Sequence, residues 1–155
     1  KYPYRPRPLN LGKLLEQVEE DARRREYPVA FARTQMAPGT HMILGDVSLL
    51  KSLFFNLLKN ACQASRANDI TLTVHPAPGQ VRITIRNDGE VPPSIRDTFF
   101  DKMVKGPQSS GMGIGAYSAK LAVELHGGTL ALDTSEPGYT TLTILLPSAP
   151  PSPAI

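Results

Sequence analysis

The segment from Asp46 to Ser65 carries a periodic pattern that fits an α-helix. Its apolar residues recur at steps of three and four, which places them on one stripe of a helix; they are Leu50, Leu53, Phe54, Leu57 and Ala61. Asp46 is a favourable N-cap, because its carboxylate can accept a hydrogen bond from a free N–H group of the first turn. The pattern therefore predicts a helix from Asp46 to about Ser65 with one face in a core.

The same helix carries a second, polar stripe beside the apolar one. Asn56, Asn60 and Gln63 follow each other at i, i+4 and i+7, so their amides project from nearly the same side at the margin of the core. Amide oxygens can ligate Mg²⁺, which prefers oxygen and shares its coordination between a few protein atoms, water and substrate phosphates. The alternative interpretation is a solvated polar surface.

The rest of the chain alternates helices with short strands. A helix is predicted from Asn10 to before Pro28, and another from about Gly115 to His126, ended by the Gly127-Gly128 pair. Alternating patterns predict strands in PVAFART, HMIL, ITLTVHP, VRITIRN, TLALD and TTLTILL, with two antiparallel hairpins among the last four. The proline-rich opening KYPYRPRP is predicted to be a linker without regular structure, APGT a turn, and residues 148–155 a disordered tail.

Composition excludes several classes of protein. A chain of 155 residues with 41% apolar and 20% charged side chains is long enough for one globular domain, predicted at residues 9–147. The net charge of +3 is spread along the sequence, which argues against a nucleic-acid partner. The one cysteine, Cys62, is expected to be a packing residue in a reducing compartment. No apolar run is long enough to span a membrane, and Lys1 suggests a fragment whose parent could be membrane-anchored.

A glycine-rich segment precedes the last predicted helix. It comprises Gly111, Met112, Gly113, Ile114 and Gly115. Glycines let backbone N–H groups approach a phosphate, and the N-terminus of the following helix adds free donors and a positive dipole end. GMGIGA also fits the dinucleotide fingerprint, with Asp133 at a suitable distance, but that fingerprint requires a strand immediately before it, and VKGPQSS stands there. We interpret the segment as a phosphate cradle.

Two further segments could contact a nucleotide. RNDGEVPP, residues 86–93, ends a predicted strand, and it is either an ordinary turn or a place where a carboxylate or amide reads the exocyclic amine of adenine. In TFFDKMVKG, residues 98–106, Phe100 and Met103 could anchor a mobile lid while Lys102 and Lys105 reach phosphates. Exposed lysines are more often simply solvated.

The order of these segments resembles the catalytic domain of sensor histidine kinases, within the ATPase superfamily shared with DNA gyrase, the MutL repair proteins and a heat-shock chaperone. NLLKNACQAS resembles the N box of that family, RNDGEVPP its G1 box, TFFDKMVK its F box, and GMGIGAYSAKLAVELHGG its G2 box. The resemblance extends from about Leu9 to Pro147. It implies an α/β (α+β) two-layer sandwich of the Bergerat type, with a mixed, largely antiparallel sheet of about five strands and about three helices on one face.

The resemblance also implies roles for residues around Mg²⁺ and ATP or ADP. Asn60 would ligate the magnesium ion, Asn56 would lie near the phosphates, and Gly111, Gly113 and Gly115 would wrap the triphosphate. Gln63 replaces a basic residue of many family members, a contact that Lys102 or Lys105 could supply.

The G1 box departs from the Asp-x-Gly-x-Gly pattern of the family. Alignment on Gly89 puts Asn87 at the adenine-reading aspartate and Val91 at the second glycine. The Asn87 oxygen can still accept a hydrogen bond from adenine, and Asp88 lies one residue away, so we expect binding to survive with altered affinity.

The residue one turn before Asn60 distinguishes branches of the superfamily. Where gyrase-like ATPases usually carry a glutamate that acts as a general base, this chain has Asn56, whose amide cannot take a proton. That difference fits a histidine nucleophile on a separate dimerising helical hairpin, with Asn56 and Lys105 as the expected catalytic residues.

The expected partners follow from this assignment. They are ATP or ADP, the histidine-bearing dimerisation domain of the same protein, and a response regulator reached through a homodimeric full-length kinase. The fragment itself is expected to be a monomer, and His41, His75 and His126 are not expected to be phosphate acceptors. The alternative is a degenerate module that senses nucleotide or acts as a scaffold without phosphotransfer.

Overall fold

The fold was analysed in a computed structural model, which describes residues 3–27, 30–33, 41–101 and 115–149. In these ranges three helices alternate with seven strands, and a short 3-10 helix covers Pro93–Ile95. The helices are α1 (Leu11–Arg24), α2 (Val47–Ala64) and α3 (Gly115–Leu125). The strands are β1 (Arg7–Asn10), β2 (Ala30–Arg33), β3 (Met42–Gly45), β4 (Ile70–Ala77), β5 (Gln80–Asp88), β6 (Thr129–Asp133) and β7 (Tyr139–Pro147).

Five of these strands form one mixed sheet in the order β2-β4-β5-β7-β6. Strand β2 runs parallel to β4, and the remaining neighbours are antiparallel, including the two predicted hairpins β4–β5 and β6–β7. The predicted sandwich with a largely antiparallel sheet of about five strands is confirmed.

The core lies between this sheet and the helices. Alternate residues of the three central strands are buried, except at the end of β4, where Pro76 is exposed. This is the pattern of strands covered on one face, and its apolar members are Ile70, Leu72, Val74, Val81, Ile83, Ile85, Leu142, Ile144 and Leu146. The apolar stripe predicted for α2 faces the same core. Cys62 is half-buried against it, and burial raises the pKa of the Cys62 thiol to about 11, which favours the neutral packing form.

The predicted helix boundaries are confirmed, together with their stop and start signals. Asn10 Oδ1 accepts a hydrogen bond from the Lys13 N–H at 3.1 Å, and Asp46 Oδ1 accepts one from the Leu49 N–H at 3.1 Å. Each side chain satisfies a donor that a helix start leaves free. Gly127 has φ +77° after α3, the left-handed conformation that commonly ends a helix.

The prediction that the whole opening segment lacks regular structure is wrong for Arg7 and Pro8. Both belong to β1, which pairs antiparallel with β3 in a separate sheet of two strands. Proline suits such a strand, because among the described residues β1 is paired on one side only, and an edge strand leaves part of its N–H groups outside the ladder. Ser148, placed in the predicted tail, also pairs with Ile43, whereas residues 150–155 and the predicted turn at 37–40 lie outside the described residues.

Among the helices described, none has both the length and the apolar character needed to span a bilayer.

Replacement of Gly128 by alanine tests how closely β6 begins against β7. A Cβ atom on Gly128 would lie 2.1 Å from the Leu145 carbonyl oxygen, so backbone would have to move. We expect Gly128→Ala to lower the free energy of unfolding by at least about 2 kcal/mol in urea denaturation. Gly79→Ala is the control, because Gly79 has a positive φ, +69°, but has open space around it. This variant should lower the free energy of unfolding by only about 1 kcal/mol. Equal losses would contradict the packing described.

Candidate nucleotide site

The C-terminal end of α2 packs directly against the end of β5. Gly89 has φ +110°, and a Cβ atom there would lie 2.5 Å from the Ala64 carbonyl oxygen, so a side chain fits neither the backbone nor the space. This close approach brings the residues after β5 to the helix that carries the three predicted amides. Asn56 and Asn60 are partly buried and Gln63 is exposed, so the polar stripe lies at the margin of the core as predicted.

Asn87 is the buried polar residue at the end of β5. It is 5% exposed, and its Nδ2 donates a hydrogen bond to the Asp88 carbonyl oxygen at 2.7 Å. Because a carbonyl oxygen can only accept, the nitrogen of the amide must face it, which leaves Oδ1 as an acceptor for another donor. The amide of Asn87 thus presents the same acceptor chemistry as a carboxylate, without the charge.

Thr140 is a site residue that the sequence analysis missed. It lies opposite Asn87 on β7, it is 7% exposed, and its hydroxyl donates to the Gly89 carbonyl oxygen at 2.7 Å. The signal was present in the alternation of TTLTILL, because Thr140 occupies the inward register of Leu142 and Ile144. A polar side chain at an inward position needs a partner, and here the partner is the G1 glycine.

Asp88 has a different environment from Asn87. Its carboxylate accepts hydrogen bonds from the Ser65 hydroxyl and from the N–H groups of Arg66, Ala67 and Asp69, at 2.8, 2.6 and 3.0 Å for the three backbone donors. The hydrogen bond from the Ser65 hydroxyl has the largest effect on the pKa of Asp88 and lowers it. Desolvation, next in size, raises this pKa, and the backbone donors Ala67, Arg66 and Asp69 lower it further, so that the pKa lies well below its ordinary value. Asp88 therefore fastens the α2–β4 connection to the end of β5. This engagement favours Asn87 over Asp88 as the side chain that could read adenine.

The turn between β6 and β7 holds the G1 segment from the other side. The Gly89 N–H donates to the Gly138 carbonyl oxygen, and the Gly138 N–H donates to Glu90 Oε2, both at 2.8 Å. Val91, at the second glycine position of the family pattern, is 7% exposed, and its carbonyl oxygen accepts from Arg96 Nε at 2.8 Å. The departure from glycine is accommodated by burying the valine side chain.

The start of the F box contacts α3. Phe100 packs edge-to-face on Phe99, with ring centroids 5.0 Å apart, and Lys120 Nζ lies 5.7 Å from the centroid of the Phe100 ring. Both phenylalanines are half-buried against the core. Phe100 therefore ties the beginning of the predicted lid to the helix that follows the glycine segment.

Several predicted site residues lie outside the described residues. They are Lys102, Met103, Lys105, Gly111, Met112, Gly113 and Ile114. Gly115 is the first residue of α3, so the predicted helix start immediately after the glycine segment is confirmed.

Magnesium fits the donors that the site offers. Within the described ranges no group of three or more His, Cys, Asp or Glu side chains could hold a metal ion by itself. Asn60 offers an amide oxygen at a partly exposed position, and Mg²⁺ typically takes one or two protein oxygens and completes its shell with water and phosphate.

Comparison with known proteins defines the class of protein. The family described as histidine kinase-, DNA gyrase B- and HSP90-like ATPases matches residues 45–150, and the chain belongs to this family. Its relatives point to the sensor histidine kinase branch. The chain is 29% identical over 153 residues to the sensory histidine kinase/phosphatase NtrB of Vibrio alginolyticus, covering 89% of this chain and 43% of that protein. It is 30% identical over 146 residues to the sensor-type histidine kinase PrrB of Mycobacterium leprae, covering 92% and 32%.

Solved structures agree with the relatives. The mycobacterial sensor histidine kinase MprB superposes with a TM-score of 0.81 at 27% identity, covering 94% of this chain and 99% of that one. The ATP-binding domain of PrrB from Mycobacterium tuberculosis gives 0.74 at 24% identity, covering 94% and 98%. The chain is a domain of the sensor histidine kinase branch of this ATPase family, and it spans less than half the length of the curated relatives named here. These relatives give no support to the alternative of a degenerate scaffold module.

The Asp88 contacts predict that the Asp88→Asn variant is less stable than wild type by an amount that depends on pH. Asparagine would turn an amide nitrogen toward N–H donors, so the variant should unfold at lower urea concentration than wild type at pH 7. Because the native pKa of Asp88 lies below its ordinary value of 3.8, the carboxylate's contribution is full above that value and declines as pH falls below it. The wild-type advantage should therefore be constant from pH 7 to pH 5 and shrink toward pH 3. An advantage independent of pH would contradict the role assigned to the charge, and Asp97→Asn, an exposed carboxylate, is the control.

Proposed function

We propose that this domain binds ATP with Mg²⁺ in the crevice beside α2 and transfers the γ-phosphoryl group to a histidine on a separate helical-hairpin domain. The observation that carries the proposal is the approach of Gly89 to Ala64, because it joins the G1 segment to the helix that bears Asn56 and Asn60. Asn87, at the end of β5, then offers an acceptor for the base, and Asn56 and Asn60, on α2, offer amide oxygens for the metal ion and the phosphates.

The base would lie at the end of β5. Oδ1 of Asn87 would accept a hydrogen bond from the exocyclic amine of adenine, while Nδ2 stays on the Asp88 carbonyl. Thr140 supports the same place by holding the Gly89 carbonyl oxygen. The contribution of Asp88 is indirect, through the connection that it fastens.

The phosphates would lie toward the middle of α2 and the start of α3. Asn60 would hold Mg²⁺, which when bound neutralises phosphate charge. Asn56 would orient the phosphates from one turn earlier on the helix, and Gln63 would contribute a weaker polar contact. Gly111, Gly113 and Gly115 would supply backbone N–H donors, with Met112 and Ile114 between them, and Lys102 and Lys105 would add positive charge. Positioning and charge neutralisation account for most of the catalysis in phosphoryl transfer.

The nucleophile would come from outside this chain. Asn56 cannot accept a proton, so the site suits a nucleophile that is already partly neutral near pH 7, such as an imidazole. His41 and His126 are 2% and 7% exposed and His75 lies in β4, so these positions are poor acceptors. The partners proposed are therefore the dimerisation and phosphoacceptor domain of the same protein, in a homodimeric parent, and a response regulator. ATP as substrate points to the cytoplasm.

Removal of the Asn87 amide tests the base contact. Asn87→Leu keeps the approximate shape but deletes the acceptor, and we expect it to weaken ATP binding by about tenfold in calorimetric titration. Thr84→Val, on the outward side of the same strand, should leave the affinity unchanged. Affinity in Asn87→Leu equal to that of wild type would remove Asn87 from the site.

Asn60→Ala tests the metal contact and the transfer. With ATP present, adding Mg²⁺ should raise the melting temperature of wild type further, and Asn60→Ala should lose this additional rise. The reason is that a ligand which binds only the folded state stabilises it, and does so more when it binds more tightly. With a histidine-bearing helical hairpin supplied in trans, wild type should form acid-labile phosphohistidine from labelled ATP and Asn60→Ala should form at least about tenfold less. Ser52→Ala, exposed on the same helix, is the matched control. Nucleotide binding by wild type without any phosphohistidine would count against the kinase assignment.

A further inference from the structure

The N-terminal segment crosses the junction between the two helices of the proposed site. We use the term N-terminal clasp for residues 3–10, which end in β1. The Tyr4 ring packs edge-on against His126 with centroids 5.1 Å apart at an interplanar angle of 83°, and the Arg5 N–H donates to Asp46 Oδ2 at 2.9 Å. The clasp therefore contacts the residue that starts α2 and the residue that follows α3.

His126 links the same two helices from inside. Its Nε2 lies 3.1 Å from the Asp46 backbone nitrogen and its Nδ1 lies 2.7 Å from the Ala122 carbonyl oxygen. Because a backbone N–H can only donate and a carbonyl can only accept, Nε2 must be the acceptor and Nδ1 the donor. The ring thus bridges the end of α3 and the start of α2 through these two hydrogen bonds.

Asp46 joins three parts of the chain at one residue. Its Oδ1 caps α2 through the Leu49 N–H, its Oδ2 accepts from the clasp, and its own N–H donates to His126. Gly45, the residue before Asp46, is closely surrounded by side chains. A Cβ atom on Gly45 would lie 2.7 Å from Leu50 Cδ1 and 3.1 Å from His126 Cδ2. A shift at this junction is therefore transmitted to both helices.

The two helices carry different parts of the proposed phosphate site. Asn56 and Asn60 lie on α2, and α3 begins at Gly115, directly after the glycine segment. A helix behaves as a rigid rod over this length, so the position of its end sets where the side chains farther along it lie. The spacing between the amides and the start of α3 depends on how the far ends of α2 and α3 are fixed.

The clasp contributes little burial of its own. Only Tyr4 and the last two residues of the clasp are shielded from solvent, whereas Pro3, Arg5, Pro6, Arg7 and Pro8 are exposed. Burial and the nearby charge of Asp46 both raise the pKa of the Tyr4 hydroxyl, as expected for a ring resting on this junction. Loss of the Tyr4 ring should therefore disturb the junction without removing a large part of the core.

We propose that Tyr4 is a positioning residue for the nucleotide site: with the Arg5 N–H it closes on Asp46 and His126 and fixes α2 relative to α3. The inference rests on the proposed binding of magnesium and ATP. The clasp contacts the start of α2 and the end of α3, away from the residues proposed to bind the ligand. The inference is that the clasp nevertheless affects nucleotide affinity.

Calorimetric titration of this chain with Mg²⁺ and a non-hydrolysable ATP analogue tests the inference. We expect Tyr4→Ala to weaken binding by about threefold to tenfold, a typical size for residues that act on a site without touching the ligand. Tyr4→Phe keeps the ring edge on His126 and should bind within about twofold of wild type. Arg7→Ala, an exposed neighbour in the same clasp, should bind as wild type does.

A second variant covers the case in which Tyr4→Ala does not fold. Asp46→Asn keeps a residue able to cap α2 but turns a nitrogen toward the Arg5 N–H, so it breaks the clasp contact and preserves the helix start. It should weaken binding in the same range as Tyr4→Ala.

Three outcomes would overturn the inference. The clasp is only structural if Tyr4→Ala or Asp46→Asn lowers the melting temperature while affinity stays at the wild-type value. The ring contact is not the cause if Tyr4→Phe binds as weakly as Tyr4→Ala. If Asn60→Ala loses binding while the clasp variants bind as wild type does, this inference alone is overturned. If the wild-type chain itself fails to bind, the proposed function is overturned as well.

Discussion

The contact between the end of α2 and the end of β5 determines the geometry of the whole site. Gly89 reaches the Ala64 carbonyl oxygen because it has no side chain and adopts a positive φ. Asp88 then secures the junction by accepting hydrogen bonds from the connection that follows the helix. The end of α2 at Ala64 and the end of β5 at Asp88, which are 24 positions apart in the sequence, are thereby held together. Every role proposed for Asn60 and Asn87 depends on that junction.

The proposed site is built from neutral groups as much as from charged ones. Asn56, Asn60, Asn87 and Thr140 offer amide and hydroxyl groups at the margin of the core, where a hydrogen bond is stronger than in bulk water. The two carboxylates of the G1 segment are engaged with backbone instead: Asp88 accepts from the α2–β4 connection, and Glu90 accepts from the Gly138 N–H. This division suits a ligand that carries its own negative charge and brings a metal ion with it.

The sequence predicted most of the architecture, and the residues that allowed this are easy to name. Leu50, Leu53 and Leu57 repeat with the period of a helix, and Ile83 and Ile85 alternate with outward residues as in a strand, so local patterns were sufficient. The same patterns missed β1, because Pro8 argues against a strand unless the strand lies at an edge, and only the pairing with β3 reveals that edge. Thr140 was missed because its inward register was visible in the sequence, whereas its partner, Gly89, follows another strand and lies far away along the chain.

The sequence by itself determined the helices, the alternation of the strands and the order of the nucleotide-binding segments, because those properties depend on residues close together in the chain. Tertiary structure decided how the polar groups are engaged: it joined Asp88 to the α2–β4 connection, turned the Asn87 amide nitrogen onto the Asp88 carbonyl, and brought Tyr4 onto His126 and the Arg5 N–H onto Asp46. Those outcomes depend on contacts between segments far apart in sequence, and such contacts exist only after the helices have packed on the sheet.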